Sequence, residues 1–194
     1  MSQDTNTRDA MVIADTRRWV QRAVIGLNLC PFAKSVEVKG QVRYVVSLAS
    51  GAKPLLADLK RELLALVAAD PAVLDTILLI APDGFAEFLD FNDLLERADR
   101  LLVDLDLDGV LQIASLHPQY QFADVAPDDI TNYTNRAPYP TLHLLREDSV
   151  DRAVAAFPQA ETIFETNMQT MQRLGPAGWA ALGVNASALP GGDA

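Results

Sequence analysis

Apolar residues recur every three or four positions in three long segments of the chain. The first segment, residues 9–26, carries arginines between its apolar positions, and this spacing predicts an amphipathic helix. The second begins at Pro54, which suits the first turn of a helix, and ends near Asp70. The third covers residues 87–104, and its other face is acidic. Each of these helices is expected to bury one side.

Four shorter segments are continuously apolar or rich in β-branched residues and predict strands: residues 41–48, 76–81, 110–116 and 141–146. The first three alternate with the long helices, which is the pattern of crossover connections between parallel strands. We therefore expect an α/β fold built on a mixed, mostly parallel four-stranded sheet with crossover helices.

Two further helices are predicted after the last strand, over residues 149–157 and 159–174, with Gly175 ending the second. Together with the N-terminal helix they complete a single domain over residues 1–184, because a chain of 194 residues favours one core. Residues 185–194 are expected to form a flexible C-terminal tail.

Residues 117–140 show no periodicity and separate the third and fourth strands. These 24 residues include four prolines and four aromatic residues, which favours an ordered loop, and ordered loops of this length are usually functional. Both histidines of the chain lie at or beside its ends. If the adjoining strands pair antiparallel, His117 and His143 come to one mouth of the sheet. A parallel pairing would separate them by a strand length.

Three titratable residues of this region are candidate catalytic groups. His117 follows a strand end, where open sheets bind ligands, so it is the first candidate for a general base or metal ligand; the alternative is an imidazole bonded to a loop carbonyl. His143 is either a second such group or a satisfied core residue. Asp129, with Asp128 before it, is either a base or the cap of a turn after Pro127.

Arg136 is the candidate anion clamp, because a planar guanidinium can hold a carboxylate or phosphate with two parallel hydrogen bonds. The alternative is an internal pair with Asp128 or Asp129. The other residues expected to line a ligand site lie in the same loop: Tyr120, Asn132, Tyr133, Asn135 and Tyr139.

Cys30 is the only cysteine, and the following Pro31 biases it toward an extended connector. Most single cysteines are small buried apolar residues, whereas a thiol beside an imidazole or a helix start becomes a nucleophile or a metal ligand. One cysteine, two histidines and an aspartate would suit zinc or iron. A divalent metal is therefore the cofactor that these residues suggest, although no two of them have a diagnostic spacing.

Composition and charge limit the classes of partner that we expect for this protein. Hydrophobic residues make up 49% of the chain and charged residues 22%, as in an ordinary globular protein. Sixteen basic against 26 acidic residues give a net charge of -10, which repels phosphate backbones, so nucleic acid is not an expected partner. The chain has no apolar run long enough for a membrane span, and its polar first ten residues lead us to expect no export. A lone thiol is most easily maintained in a reducing compartment, so the protein is expected to be cytoplasmic. The sequence makes no prediction of its oligomeric state.

Three segments resemble the signature segments of an uncharacterised bacterial family, a domain of unknown function of about this size. They are residues 26–33 (GLNLCPFA), 116–122 (LHPQYQF) and 128–147 (DDITNYTNRAPYPTLHLLRE). The resemblance extends from the first helix to Gly175 and Trp179. The family often has an arginine where this chain has Thr166. The resemblance implies no particular reaction, cofactor or catalytic residue.

Two main hypotheses follow for function. In the first, the protein is an enzyme that acts on a small anionic metabolite beneath the 117–140 loop, where Cys30, His117 and Arg136 share one cavity. In the second, it is a non-catalytic small-ligand-binding or sensor protein, whose histidines are bonded to main-chain carbonyls. A third hypothesis, an acidic partner-binding domain, rests on residues 83–108, with nine acids and two arginines.

Overall fold

The computed structural model describes residues 2–156 and 162–188. The chain begins with helix α1 (Ser2–Trp19), which continues into a π-helical turn (Val20–Ile25) and is followed by the short helix α2 (Ala33–Val38). The first helix therefore starts earlier than the predicted residue 9. Helix α2 was not predicted, because six residues are too few to show a helical repeat.

The middle of the chain alternates strands and helices as predicted. Its elements are β1 (Val42–Val46), α3 (Ala52–Ala68), β2 (Thr76–Ile80), α4 (Phe88–Asp104) and β3 (Leu111–Leu116). The elements that follow are a 3₁₀ helix (Ile130–Asn135), β4 (Thr141–Arg146), α5 (Glu147–Ala156) and α6 (Ile163–Ala181).

The four strands form one mixed sheet in the order β1-β2-β4-β3. Strands β1 and β2 are parallel, but β4 lies between β2 and β3 and is antiparallel to both. The prediction of a mostly parallel sheet is therefore wrong, since two of the three pairings are antiparallel. The reason lies in the 117–140 loop, which contains no crossover helix, so the chain re-enters the sheet at the edge where β3 ended.

Two apolar layers cover the faces of this sheet. On one face, side chains of β2 and β4 such as Leu79 and Leu144 pack against α3 and α4. On the other face, residues such as Leu78 pack against α1, the π-helical turn and α6, whose Trp19 and Trp179 are buried. The strand β2 is buried along its whole length. We call the edge at which β1, β2 and β3 begin the amino edge, and the edge at which they end the carboxyl edge.

The last helix bends where the sequence predicted an end. Gly175 leaves the helical conformation with φ of 63°, a left-handed value that glycine adopts without a steric penalty. Pro176 then restarts the helix, which continues to Ala181, because proline is well suited to a first helical turn. The predicted boundary between two C-terminal helices, residues 157–159, lies outside the described residues.

The buried carboxylate of Asp15 in α1 binds Ser187, near the C-terminus. Asp15 is 1% exposed and accepts hydrogen bonds from the Tyr139 hydroxyl at 2.8 Å, the Ser187 amide at 2.7 Å and the Arg18 guanidinium at 2.6 Å. Burial alone would raise the pKa of Asp15, but the bonds from Ser187, Tyr139 and Arg18 outweigh it and lower the pKa. Ser187, in the predicted tail, is thus bound to the domain. Residues 189–194 lie outside the described residues.

Candidate functional site

His117 lies at the carboxyl edge and uses both ring nitrogens within the protein. Its Nε2 lies 2.8 Å from the Phe85 carbonyl oxygen, which can only accept, so Nε2 carries the proton. Its Nδ1 accepts the Gln119 amide hydrogen at 3.0 Å. The ring is 0% exposed and lies 5.4 Å from the Phe91 ring, measured between centroids. These bonds hold the imidazole in one neutral tautomer.

Burial lowers the pKa of His117, although the bond to Phe85 opposes this effect. Phe85 itself has φ of 60°, a left-handed conformation that is uncommon for a bulky residue. The imidazole of His117 therefore stabilises an unfavourable turn after β2. This arrangement corresponds to the alternative in which the histidine bonds a loop carbonyl.

His143 points toward the opposite edge of the sheet. Its Nε2 lies 2.8 Å from Thr76 Oγ1 at the start of β2. The single hydroxyl hydrogen of Thr76 is donated to the Leu144 carbonyl at 2.6 Å, so His143 donates and Thr76 accepts. Burial lowers the pKa of His143 to about 4. The strands β3 and β4 do pair antiparallel, but the imidazoles of His117 and His143 point apart instead of sharing one mouth.

The polar side chains of the 117–140 loop bond mainly to the loop's own backbone. Asn132 is 0% exposed; its Oδ1 accepts the Phe122 amide hydrogen at 3.0 Å and its Nδ2 donates to the Ala126 carbonyl at 2.8 Å. Asp129 caps the 3₁₀ helix, accepting from the Thr131 amide at 2.8 Å, and this bond lowers its pKa. The Asn135 carbonyl accepts from the His117 amide. The predicted order of the loop arises from these bonds.

Arg136 is also held within the loop. Its Nε donates to the Tyr120 carbonyl at 3.2 Å and its Nη2 to the Pro127 carbonyl at 2.6 Å. Its guanidinium lies 4.2 Å from the centre of the Tyr133 ring, a cation–π contact. The described bonds of Arg136 are made to carbonyls and not to Asp128 or Asp129, the internal partners that the sequence suggested.

The aromatic candidates of the loop pack against three different parts of the fold. The Tyr133 ring meets Trp179 of α6 edge-on at 5.3 Å, and Tyr120 lies between Phe88 of α4 and Phe122. Tyr139 is buried, and its hydroxyl donates to Asp15. Burial and that carboxylate raise the pKa of Tyr139. The hydroxyl of Tyr139 is thereby used within the fold.

None of the described bonds of His117 and Arg136 is made to Cys30. Cys30 is partly buried on the connector before α2, and its carbonyl accepts from the Ala33 amide at 3.2 Å. The neighbouring Pro31 lines a cleft beside the starts of β1 and β2, whereas His117 follows the end of β3. The structure thus places His117 and Arg136 in one loop and Cys30 on a different segment, next to the wall of that cleft.

The cleft beside Pro31 has a volume of about 660 Å³, within the range of roughly 300 to 1,000 Å³ for small-molecule sites. We call it the amino-edge cleft. Its walls come from α2, from residues 71–75 before β2 and from α5. The residues that matter for its chemistry are Phe32, Lys39, Gln41, Asp75, Ser149 and Arg152.

A chain of hydrogen bonds holds the polar floor of the amino-edge cleft. Gln41 Nε2 donates to the Pro71 and Ala72 carbonyls at 3.1 and 2.9 Å. Ser149 donates to Asp75 at 2.6 Å and accepts from Arg152 Nη2 at 2.9 Å. These bonds tie the turn before β2 to the start of β1 and the first turn of α5.

Sequence reasoning missed Lys39 and Arg152, because the cleft joins three segments that are far apart in the chain. The one available signal was the segment of residues 26–33, which leads directly into the cleft wall. Across residues 2–156 and 162–188, no group of three or more His, Cys, Asp or Glu side chains is arranged to hold a metal ion. The suggested divalent metal stays a prediction.

The fold and the cleft define a mixed-sheet α/β protein with a surface cleft at the amino edge. The chain belongs to the family described as Protein of unknown function (DUF1415), whose model matches residues 11–181. This confirms the resemblance found in the sequence. Comparison with the curated proteins finds no match, and comparison with the solved structures finds none either. None of the described helices is both long and apolar enough to cross a membrane.

Proposed function

We propose that this protein binds a small anionic molecule in the amino-edge cleft. The observation that carries the proposal is the presence of two cationic side chains, Lys39 and Arg152, at this cleft. Within the described residues, neither of them forms an ion pair with an acid. Other arginines do, in the pairs Arg8–Asp83, Arg18–Asp15 and Arg61–Asp58.

The two cations give the cleft a local positive charge on a molecule that is otherwise acidic. With a net charge of -10, most of the surface repels anions, so a ligand of this kind requires a local pair of positive groups. A guanidinium can hold a carboxylate or phosphate through two parallel bonds, and an ammonium adds a point charge. Phe32 and Pro31 supply an apolar wall for the rest of the ligand.

The state of the histidines supports a binding protein. A general base needs a free lone pair within reach of its substrate, but both nitrogens of His117 are bonded to main-chain groups. The proposal therefore keeps the small anionic ligand suggested by the sequence and relocates it from the 117–140 loop to the amino edge. A catalytic role for Cys30 stays a prediction.

Thermal unfolding with added anions tests this function. Inorganic phosphate and succinate are titrated against the wild type, the double variant Lys39→Gln/Arg152→Gln, and the control Lys60→Gln/Arg97→Gln, whose residues are exposed on α3 and α4. At about 100 times Kd, a bound ligand stabilises the fold by about 2.7 kcal/mol, which raises Tm by roughly 5 to 10 °C. We expect this rise in the wild type and the control, and its loss in the cleft variant.

The single thiol provides a second readout that locates the ligand. Cys30 adjoins the cleft through Pro31, so an occupied cleft should slow the alkylation of Cys30 by iodoacetamide. An anion bound elsewhere would raise Tm without protecting the thiol. An equal Tm rise in the cleft variant, or an unchanged alkylation rate, contradicts the proposal.

A further inference from the structure

Four aromatic rings form a continuous row across the carboxyl-edge side of the molecule. The row consists of Phe88, Tyr120, Phe122 and Phe164, and successive ring centroids are 5.1, 5.0 and 5.9 Å apart. It begins at the buried His117, 5.5 Å from Phe88, and crosses from α4 over the 117–140 loop to α6. We call it the aromatic row. It joins three elements that are distant in the sequence.

The aromatic row reaches solvent. Phe164 at its far end is 55% exposed, and Leu89, the residue that follows Phe88 in α4, is 72% exposed. Phe88, Tyr120 and Phe122 are partly exposed. Single exposed apolar residues are normal on protein surfaces, but a contiguous apolar patch rimmed by polar residues is typical of an interaction site.

The charge around the aromatic row has one sign. The three segments that carry it, residues 85–91, 119–125 and 162–167, contain four acids and no lysine or arginine. These acids, Glu87, Asp90, Asp124 and Glu165, are all exposed. Arg136 donates to the Tyr120 carbonyl but is taken up by loop carbonyls and the Tyr133 ring. The rim is therefore acidic.

We infer that the aromatic row is a docking surface for an amphipathic helical segment of another protein, with apolar side chains on one face and lysine or arginine beside them. The apolar side chains would cover the rings, and the basic groups would pair with the acidic rim, as electrostatic complementarity requires of a specific interface. A second copy of this chain is disfavoured, because two such faces would bring four acids against four. The same charge disfavours nucleic acids and anionic membranes.

Titration with a synthetic peptide tests this inference. The probe is an amphipathic peptide of about 14 residues, roughly four helical turns, made of leucine and lysine at helical spacing. A matched peptide carries glutamate in place of lysine. Binding is measured by fluorescence anisotropy at about 150 mM salt, where long-range charge effects are largely screened. We expect binding of the lysine peptide only.

Two pairs of variants locate the binding surface. Leu89→Ser/Phe164→Ser should weaken binding by about tenfold or more, as the loss of central apolar contacts does, and Asp90→Asn/Glu165→Gln should weaken it by roughly threefold to tenfold. The controls are Val38→Ser/Val73→Ser, whose residues are 77% and 70% exposed outside the row, and Asp99→Asn/Asp104→Asn. Each control should stay within about twofold of the wild type.

Chemical-shift mapping on the unaltered protein gives a readout that does not depend on variants. With the lysine peptide, the perturbed amides should cluster in residues 85–91, 119–125 and 162–167. Equal binding of the glutamate peptide, equal losses in the controls, or shifts outside these segments would overturn the inference. So would a dimer in sedimentation that Phe164→Ser converts to a monomer, since the row would then be covered by a second copy.

Discussion

Both imidazoles of this protein are matched to a main-chain or a hydroxyl partner. His117 bonds the Phe85 carbonyl and the Gln119 amide, and His143 bonds the Thr76 hydroxyl. A buried polar group without a partner costs about 1 to 3 kcal/mol. The neutral form of each imidazole is therefore the one that the fold stabilises.

The free energy of unfolding should fall as the pH drops from 7 to 5, in part because of His143. Its pKa is about 4 in the folded protein against about 6.5 in an unfolded chain, so the unfolded state binds more protons between these values. This contribution is complete above pH 6.5 and is lost as the pH falls toward 4; between pH 7 and 5 it amounts to about 2 kcal/mol.

Urea unfolding of the wild type and His143→Gln at both pH values measures this effect. The variant should show a shallower pH dependence, with the remainder due to His117, whose pKa is also lowered. Asp99→Asn, an exposed control, should keep the wild-type slope. The same slope in His143→Gln would show that this imidazole does not titrate as inferred.

At the scale of elements, helix α3 ends where a side chain of β4 donates hydrogen bonds to its last carbonyls. No glycine ends helix α3. The residue after the helix, Ala69, has an extended backbone conformation. Arg146 of β4 reaches its last turn and is buried. Its Nη2 donates to the Leu66 carbonyl, to the Ala69 carbonyl at 2.8 Å and to the Leu74 carbonyl at 3.2 Å. Leu66 and Ala69 lie at the end of α3, where carbonyls lack partners within the helix, and Leu74 lies just before β2.

Replacing Arg146 should therefore destabilise the domain strongly. Arg146→Met removes a charged donor from three carbonyls and should lower the free energy of unfolding by about 2 to 4 kcal/mol. Arg146→Lys should recover only part of the loss, because an ammonium lacks the guanidinium's planar fork. Arg100→Met, an exposed control paired with Glu96, should change stability by less than about 1 kcal/mol. Urea denaturation at neutral pH measures all three.

On the scale of the whole molecule, one sheet serves two apolar layers. Leu59 of α3 belongs to the layer on one face, while both tryptophans, Trp19 and Trp179, belong to the layer on the other. Neighbouring residues of β2 contribute to opposite layers, as Leu78 and Leu79 do. A single cooperative domain must unfold both layers together.

Leu59→Ala tests this coupling. The cavity left by a buried leucine should lower the free energy of unfolding by about 2 to 5 kcal/mol. Tryptophan fluorescence, which reports the other layer, should shift to the same lower urea midpoint as far-UV circular dichroism. Separate midpoints for the two signals would show that the layers unfold independently. Leu64→Ala, a leucine of α3 that is 44% exposed, should leave both midpoints nearly unchanged.

Much of the secondary structure was predictable because its signal is local. The apolar spacing predicted both ends of α3 and α4 to within a few residues. The apolar and β-branched segments predicted the strands with similar accuracy. The short α2 and the 3₁₀ helix at residues 130–135 were missed, since elements of six residues show no repeat. In the candidate site, the order of the 117–140 loop and the cap by Asp129 were within reach of sequence reasoning. The amino-edge cleft was not, because its walls come from three distant segments.

The sequence by itself determined the extent of the main helices and strands, the net negative charge, the single thiol and the family. Only the tertiary structure decided that β4 enters antiparallel between β2 and β3, that His117 and His143 point to opposite edges, and that Lys39 and Arg152 share a cleft. The physical reason is range. Periodicity and turn chemistry act over a few neighbouring residues, whereas a bond such as that from His117 to Phe85 joins positions 32 residues apart and exists only once the layers have packed.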